Sequence, residues 1–226
     1  EDARLYEAVE AASSLAISLG INIPTGKDSL SMTQKYSDEI VASPGTVIIT
    51  ASAQVSDVRK IIEPVMRPDS ETSLLYIDMS RDSLKTGGSC FAQVRNKLGT
   101  DTPGITNPGY FVTVFNTVQE LVHNEKIISG HDISSGGMIT TLLEMCFANT
   151  EGGLSLKLDA LNNEDLTEIL FSQNPGIIIQ VENEEEVGER LLENGISYYS
   201  IGKPAAKRSV FIALGEKDYV FDLSLI

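Results

Sequence analysis

Basic residues are scarce in this 226-residue chain: 17 Lys and Arg stand against 32 Asp and Glu, a formal net charge of −15 with both histidines neutral. Such an excess of carboxylates repels a phosphate backbone at long range, which excludes a general binder of nucleic acid or of anionic membranes. Any phosphate ligand must be held locally. Long apolar runs are also missing, and none approaches the ~20 residues needed to span a bilayer. His123, His131, Cys90 and Cys146 are the only histidines and cysteines, and their spacing makes no zinc cluster. The cysteines sit in SCFA and EMCFA, apolar surroundings that point to buried thiols in a reducing compartment rather than to a disulfide. The opening EDARLYEAVE carries neither the positive nor the apolar region of a secretory signal. A cytoplasmic protein is expected.

What is present suits a folded chain: 42% of residues are hydrophobic, near the ordinary globular share of roughly 45–50%, over a length sufficient for one large domain or two small ones. Leu5, Ala8, Val9, Ala12, Leu15, Ala16 and Leu19 recur at helical spacing with Gly20 as terminator, so a helix opens the chain. With no cap or Met before it, the chain is expected to be a piece of a larger protein. Pro24 and Gly26 break structure ahead of a short strand. The polar stretch 34–44 reads as a connector, with a domain boundary near Ser43. The runs TVIITASAQV and SLLYIDM read as strands separated by a short helical turn. CFAQVRNKLG predicts a helix with Phe91, Val94 and Leu98 on one face. Residues 107–125 predict another, burying Phe111, Val114, Phe115, Val118, Leu121 and Val122. Further on, a helix carries Met138 to Cys146, strands cover LSLKLDAL and PGIIIQVE around a short helix, and EEEVGERLLENG is a helix with its glutamates at the positive end. Three strands close the chain. Without a regular β–α rhythm, the expected class is α+β with a mixed sheet and packed helices.

HDISSGG, residues 131–137, puts a carboxylate, two hydroxyls and two glycines just before a helix. Amides at a helix start donate to anions, glycines let a ligand approach, and the Asp can hold a divalent cation that bridges phosphates. The plainer reading is an ordinary cap, with Ser134 or Ser135 accepting from free amides. His131 is either an acid or base near neutral pH or a structural hydrogen-bonding residue. Glu144 needs a partner if buried. TGGS, residues 86–89, is a second small-residue turn able to cradle phosphate. GKDS, residues 26–29, lacks the first Gly of a P-loop, where Ile21 stands, so a P-loop is excluded. Its Lys27, Asp28 and Ser29 are either a contact for an anionic substrate or a solvated turn.

Taken in order, PTGKDSLSM, SPGTVIITASAQVSDVR, TGGSCFAQV, SGHDISSGGMITTLLEMCFA followed by EGG, and LFSQNPGIIIQV resemble phosphoribosylformylglycinamidine synthases of the large multidomain type, over about residues 5–203. The resemblance implies an ATP-dependent C–N ligase of purine biosynthesis that converts formylglycinamide ribonucleotide to formylglycinamidine ribonucleotide with ATP and glutamine. The resemblance implies that the amide oxygen is activated by phosphorylation and that ammonia is then accepted from a glutaminase domain. It further implies that residues 1–43 end the second aminoimidazole-ribonucleotide-synthetase-like N-domain and that 44–226 form the second C-domain. That C-domain contributes to an auxiliary site holding ATP or ADP with Mg2+. On this resemblance Asp132 matches a magnesium ligand, Ser134 a nucleotide contact, and Lys27 and Ser29 substrate contacts. No catalytic residue is assigned.

Two departures stand out. Ser135 occupies a position where the family often has Asp, and the other magnesium carboxylates and the glutaminase nucleophile are missing, so the piece alone is expected to be inactive. Its implied partners are the glutaminase and remaining synthase domains of a parent chain, with neither nucleic acid nor membrane, and an exposed half-domain edge favours self-association. The alternatives are a nucleotide-binding structural module, or a related synthetase of the selenophosphate synthetase or hydrogenase maturation factor type. GKDSLSM and SQNPGIIIQV favour the purine enzyme.

Overall fold

The computed structural model describes residues 2–27, 33–149 and 151–225. They divide into two compact units, 1–57 and 58–226. The first unit holds helix α1 (Asp2–Leu19) and a small antiparallel pair, β1 (Thr33–Lys35) and β2 (Ile40–Ala42). Gly20 ends α1 at φ +71°, a conformation that suits glycine at a helix C-terminus. The run TVIITASAQV, expected as a strand, is irregular. Its β-branched residues favour a pleated surface only where a neighbouring strand supplies the other half of the ladder.

The second unit is built on one mixed sheet. Its strands are β3 (Ser73–Asp78), β4 (Ser129–Asp132), β5 (Gly153–Lys157), β6 (Gly176–Val181), β7 (Tyr199–Ala205), β8 (Ser209–Leu214) and β9 (Lys217–Asp222). They lie in the order β4-β6-β3-β7-β5-β8-β9, and all neighbours are antiparallel except β5 and β8. The helices are α2 (Cys90–Val94), α3 (Pro108–His123), α4 (Gly137–Phe147), α5 (Leu166–Phe171) and α6 (Glu184–Glu193).

Strand alternation explains why helices cover both faces. Leu75 and Ile77 of β3, with Ile179 and Val181 of β6, pack against Val114, Val118 and Leu121 of α3 and Val187 and Leu191 of α6. Leu74 and Tyr76 point the other way and join Met138, Leu142, Met145 and Cys146 of α4 and Ile169 and Leu170 of α5. The mixed sheet and its helices are those of the expected α+β class. Two helical expectations fail in part. α2 stops at Val94, because Asn96 and Gly99 take positive φ, and Val94 and Leu98 are exposed rather than on a buried face. In α3, Phe115 faces solvent while Thr117 takes a buried place. No helix of the described residues is long and apolar enough to cross a membrane.

Candidate functional site

The HDISSGG motif runs off the end of β4, an edge strand, and turns into α4. Ladder pairing sets His131 opposite Ile178 and Asp132 opposite Ile177. Beyond the strand, the Ile133 N–H donates to Gly176 C=O at 2.8 Å, and Thr141 Oγ1 donates to Asp132 C=O at 3.0 Å. These bonds leave the Asp132 carboxyl largely exposed. His131 lies between two carboxylates, with Nδ1 3.3 Å from Asp132 Oδ1 and Nε2 3.1 Å from Glu144 Oε2. Glu144 is exposed, so the burial that would have demanded a partner is absent, and its contact is with His131.

The turn itself is made by glycine. Gly136 and Gly137 have φ +94° and +76°, and a Cβ on Gly137 would stand 2.7 Å from the carbonyl oxygens of Leu170 and Ser172. Gly136 is the N-cap of α4, and no side chain caps that helix. The expectation that Ser134 or Ser135 serves as the cap is thus overturned, since the left-handed Gly136 occupies the cap position. The Gly137 N–H closes on Ser134 C=O at 3.0 Å. Among the described residues, the N–H groups of Ser134 and Ser135 meet no acceptor, and both residues are exposed.

The TGGS turn differs. Gly87 donates to Asp101 C=O at 3.1 Å, Gly88 to Leu98 C=O at 2.7 Å and Ser89 to Thr86 C=O at 3.2 Å. The Ser89 hydroxyl caps α2 through the Ala92 N–H. Its amides are already used, so this turn is a structural one and no phosphate cradle. Asp82 and Lys85 lie close by, paired at 2.9 Å. The Lys85 ammonium holds the Asp82 carboxyl below the usual carboxylate range, and Asp82 in turn raises Lys85.

Asp132 and Ser134 thus share one exposed turn. Lys27 lies in the unit 1–57 and is exposed, and Ser29 falls outside the described residues. Both cysteines are free, Cys146 fully buried and Cys90 half-buried. Burial pushes the Cys146 thiol up to about 11, against the opposing pull of Arg208. No group of three His, Cys, Asp or Glu among the described residues is arranged to hold a metal ion. Sequence reasoning missed the SQN segment, residues 172–174, which quotes well as a motif but gives no hint of its contacts. Ser172 and Asn174 are buried and hydrogen-bond to the 80–85 loop, and only buried polar residues at a helix end signal this in the sequence.

Residues 75–214 match the model of the C-terminal domain of AIR synthase related proteins. The chain belongs to the AIR synthase related family. Residues 1–54 match a second model, the FGAR-AT PurM_N-like domain. Within the family, a probable phosphoribosylformylglycinamidine synthase of Caenorhabditis elegans is 37% identical over 220 residues. That alignment takes in 91% of this chain and 16% of the relative, so the chain spans about a sixth of that relative's length. The recognition made from the motifs is borne out. Among solved structures, T. maritima PurL complexed with FGAR aligns with TM-score 0.60 at 10% identity, over 74% of this chain and 29% of that one. T. maritima PurL complexed with ATP aligns with TM-score 0.57 at 11% identity, over 74% and 27%. At such identities the likeness establishes the shared fold.

Proposed function

We propose that the chain is part of a phosphoribosylformylglycinamidine synthase, converting formylglycinamide ribonucleotide to formylglycinamidine ribonucleotide with ATP and glutamine. The observation that carries this reading is the 37% identity to a probable synthase across 91% of the chain. The ordered motifs and the shared fold of PurL complexed with ATP and with FGAR support it. In this reading the first 43 residues end a second synthetase-like N-domain and the rest is the second C-domain. The match ending at residue 54 and the unit ending at Asp57 favour a boundary somewhat later, in the irregular stretch after Ser43. The glutaminase and the other synthase domains of a cytoplasmic parent chain are its partners, and the piece does not turn over alone.

The share of this chain is an auxiliary nucleotide site at the 131–137 turn. Magnesium is ordinarily held by one or two carboxylates, with waters and phosphate oxygens completing its octahedron. The single exposed carboxylate of Asp132 fits that pattern, and an all-protein cage is not needed. Bound there, the ion would neutralise charge on phosphate oxygens and so reconcile an acidic chain with an anionic ligand. β4 fixes the backbone of Asp132. The Ser134 and Ser135 amides, free of protein acceptors, donate to phosphate at the start of α4, and the Ser134 hydroxyl adds a contact. Lys27 and Ser29 contact the ribonucleotide substrate.

The test is the nucleotide that copurifies with the full-length protein. Changes in outer-shell partners alone lower metal affinity by ~10–100-fold. Asp132→Asn is therefore expected to leave only a minor fraction of the wild-type nucleotide, measured by chromatography of the denatured protein. Wild-type stoichiometry in the variant would overturn the assignment of Asp132.

A further inference from the structure

The tripeptide Ser172, Gln173, Asn174 joins α5 to β6 and ties two loops to the sheet. Ser172 Oγ accepts from the Lys85 N–H at 3.1 Å and donates to Lys85 C=O at 3.0 Å. Asn174 donates to Ser80 Oγ at 3.2 Å and to Ser83 C=O at 3.0 Å. Gln173 stands between them. With its amide oxygen facing them, it accepts from the Cys90 N–H at 2.9 Å and from the Gly136 N–H at 2.8 Å. Cys90 is the first residue of α2, behind the TGGS turn, and Gly136 is the N-cap of α4, inside the SSGG turn.

Both donors sit at helix starts, where backbone amides lack intrahelical acceptors. A donor left unmet in a partly buried place is costly. The second turn also carries two successive residues at positive φ and no side-chain cap, so its conformation depends on anchors from outside the turn. The Gln173 oxygen is such an anchor, on the amide directly after the exposed Ser134 and Ser135. The neighbouring Phe91 and Phe171 rings stack at 4.7 Å and hold α2 and α5 together beside it.

We propose that Gln173 is a positioning residue for the nucleotide turn: its one carbonyl locks the 133–137 turn to the 86–90 segment, presenting the Ser134 and Ser135 amides to phosphate. The role in binding rests on the nucleotide reading above; the bridge between the two turns does not. With the Gln173 oxygen toward the two N–H groups, its amide nitrogen faces acceptors. A carboxylate therefore keeps an acceptor for those N–H groups but loses the donor and adds a negative charge, whereas an apolar side chain keeps neither.

The experiment uses the full-length protein with Mg-ADP as the probe. Gln173→Ala, Gln173→Glu and Asp132→Asn are compared with the wild type by calorimetry on nucleotide-stripped protein, and by hydrogen–deuterium exchange over residues 86–92 and 133–140. Gln173→Ala is expected to speed exchange in both segments together and to weaken Mg-ADP binding by about tenfold. Gln173→Glu is expected to restore much of the exchange protection, a rescue that mere loss of packing would not show, while its added negative charge beside the phosphate keeps Mg-ADP binding weak. Gln173→Met, similar in volume and without an acceptor, carries the same expectation as Ala should the Ala variant not fold. Unchanged exchange in Gln173→Ala, or exchange as fast in Gln173→Glu as in Gln173→Ala, would overturn the bridge. Binding lost in Asp132→Asn but intact in Gln173→Ala would overturn the positioning role alone. Binding unaffected by Asp132→Asn, with the exchange result intact, would remove the nucleotide reading and the binding role with it.

Discussion

Gln180 shows how a single polar side chain can fasten the middle of a sheet. It is fully buried on β6, and its amide uses its whole hydrogen-bonding capacity. Nε2 donates to Arg67 C=O and Thr72 Oγ1, both at 2.8 Å, while Oε1 accepts from the Arg67 N–H at 2.9 Å and Ser129 Oγ at 3.0 Å. The side chain thereby joins β6, β4 and the segment leading into β3. Gln180→Leu is close in volume but leaves these groups unmet in a dry interior, at ~1–3 kcal/mol each with partial relaxation, so a loss of about 3–5 kcal/mol is expected. Urea unfolding of the variant reads this directly, and a loss below about 1 kcal/mol would show that water replaces the amide. A polar residue inside IIIQV signals such a role, since a buried strand rarely carries an amide without partners. Its partners are invisible in the sequence because they lie on other strands.

At the scale of elements, α4 is seated by a glycine. Gly137 and Gly195 share nearly the same backbone, φ +76° and +69°, yet differ in surroundings. A Cβ at Gly195, behind α6, meets open space, whereas at Gly137 it meets the main chain at the end of α5, which cannot move aside. Gly195→Ala is expected to cost about 1–2 kcal/mol, the penalty of a left-handed L-residue. Gly137→Ala adds a collision and is expected to cost about 3–5 kcal/mol. Paired thermal or urea unfolding checks the difference, and equal losses would mean that α5 yields. The same elements show where local pattern suffices. SLLYIDM is a short, nearly continuous apolar run that becomes β3, buried on both faces, and EEEVGERLLENG carries its own start and stop as α6. TVIITASAQV has strand composition without a strand, and CFAQVRNKLG is cut short where Asn96 turns left-handed. Both failures depend on neighbours rather than on propensity. Of the candidate site, HDISSGG was legible because glycines and carboxylate adjoin in sequence, although the cap is Gly136 rather than a serine; Gln173 was not, because its two donors lie dozens of residues away.

At the scale of the molecule, burial is distributed unevenly. Among the described residues, every fully buried side chain lies in the unit 58–226, starting at Met66. The unit 1–57 has an amphipathic helix whose stripe of Leu5, Ala8, Leu15 and Leu19 is only half-buried, with Val9 and Ile17 exposed. Its other regular structure is a pair of three-residue strands, marginal on its own. The sequence pattern correctly called for a helix, but an apolar stripe shows only that a cover is needed, not where the cover lies. Local opening free energies follow burial, so the two units are expected to differ in protease resistance. Brief trypsin treatment of the chain should cleave first after Lys27, Lys35, Arg59 or Lys60 and leave a resistant species that contains β3 to β9 intact, identified by intact mass. A first cut inside the sheet, for example after Lys157, would show instead that the two-faced core of the second unit is not the more stable part.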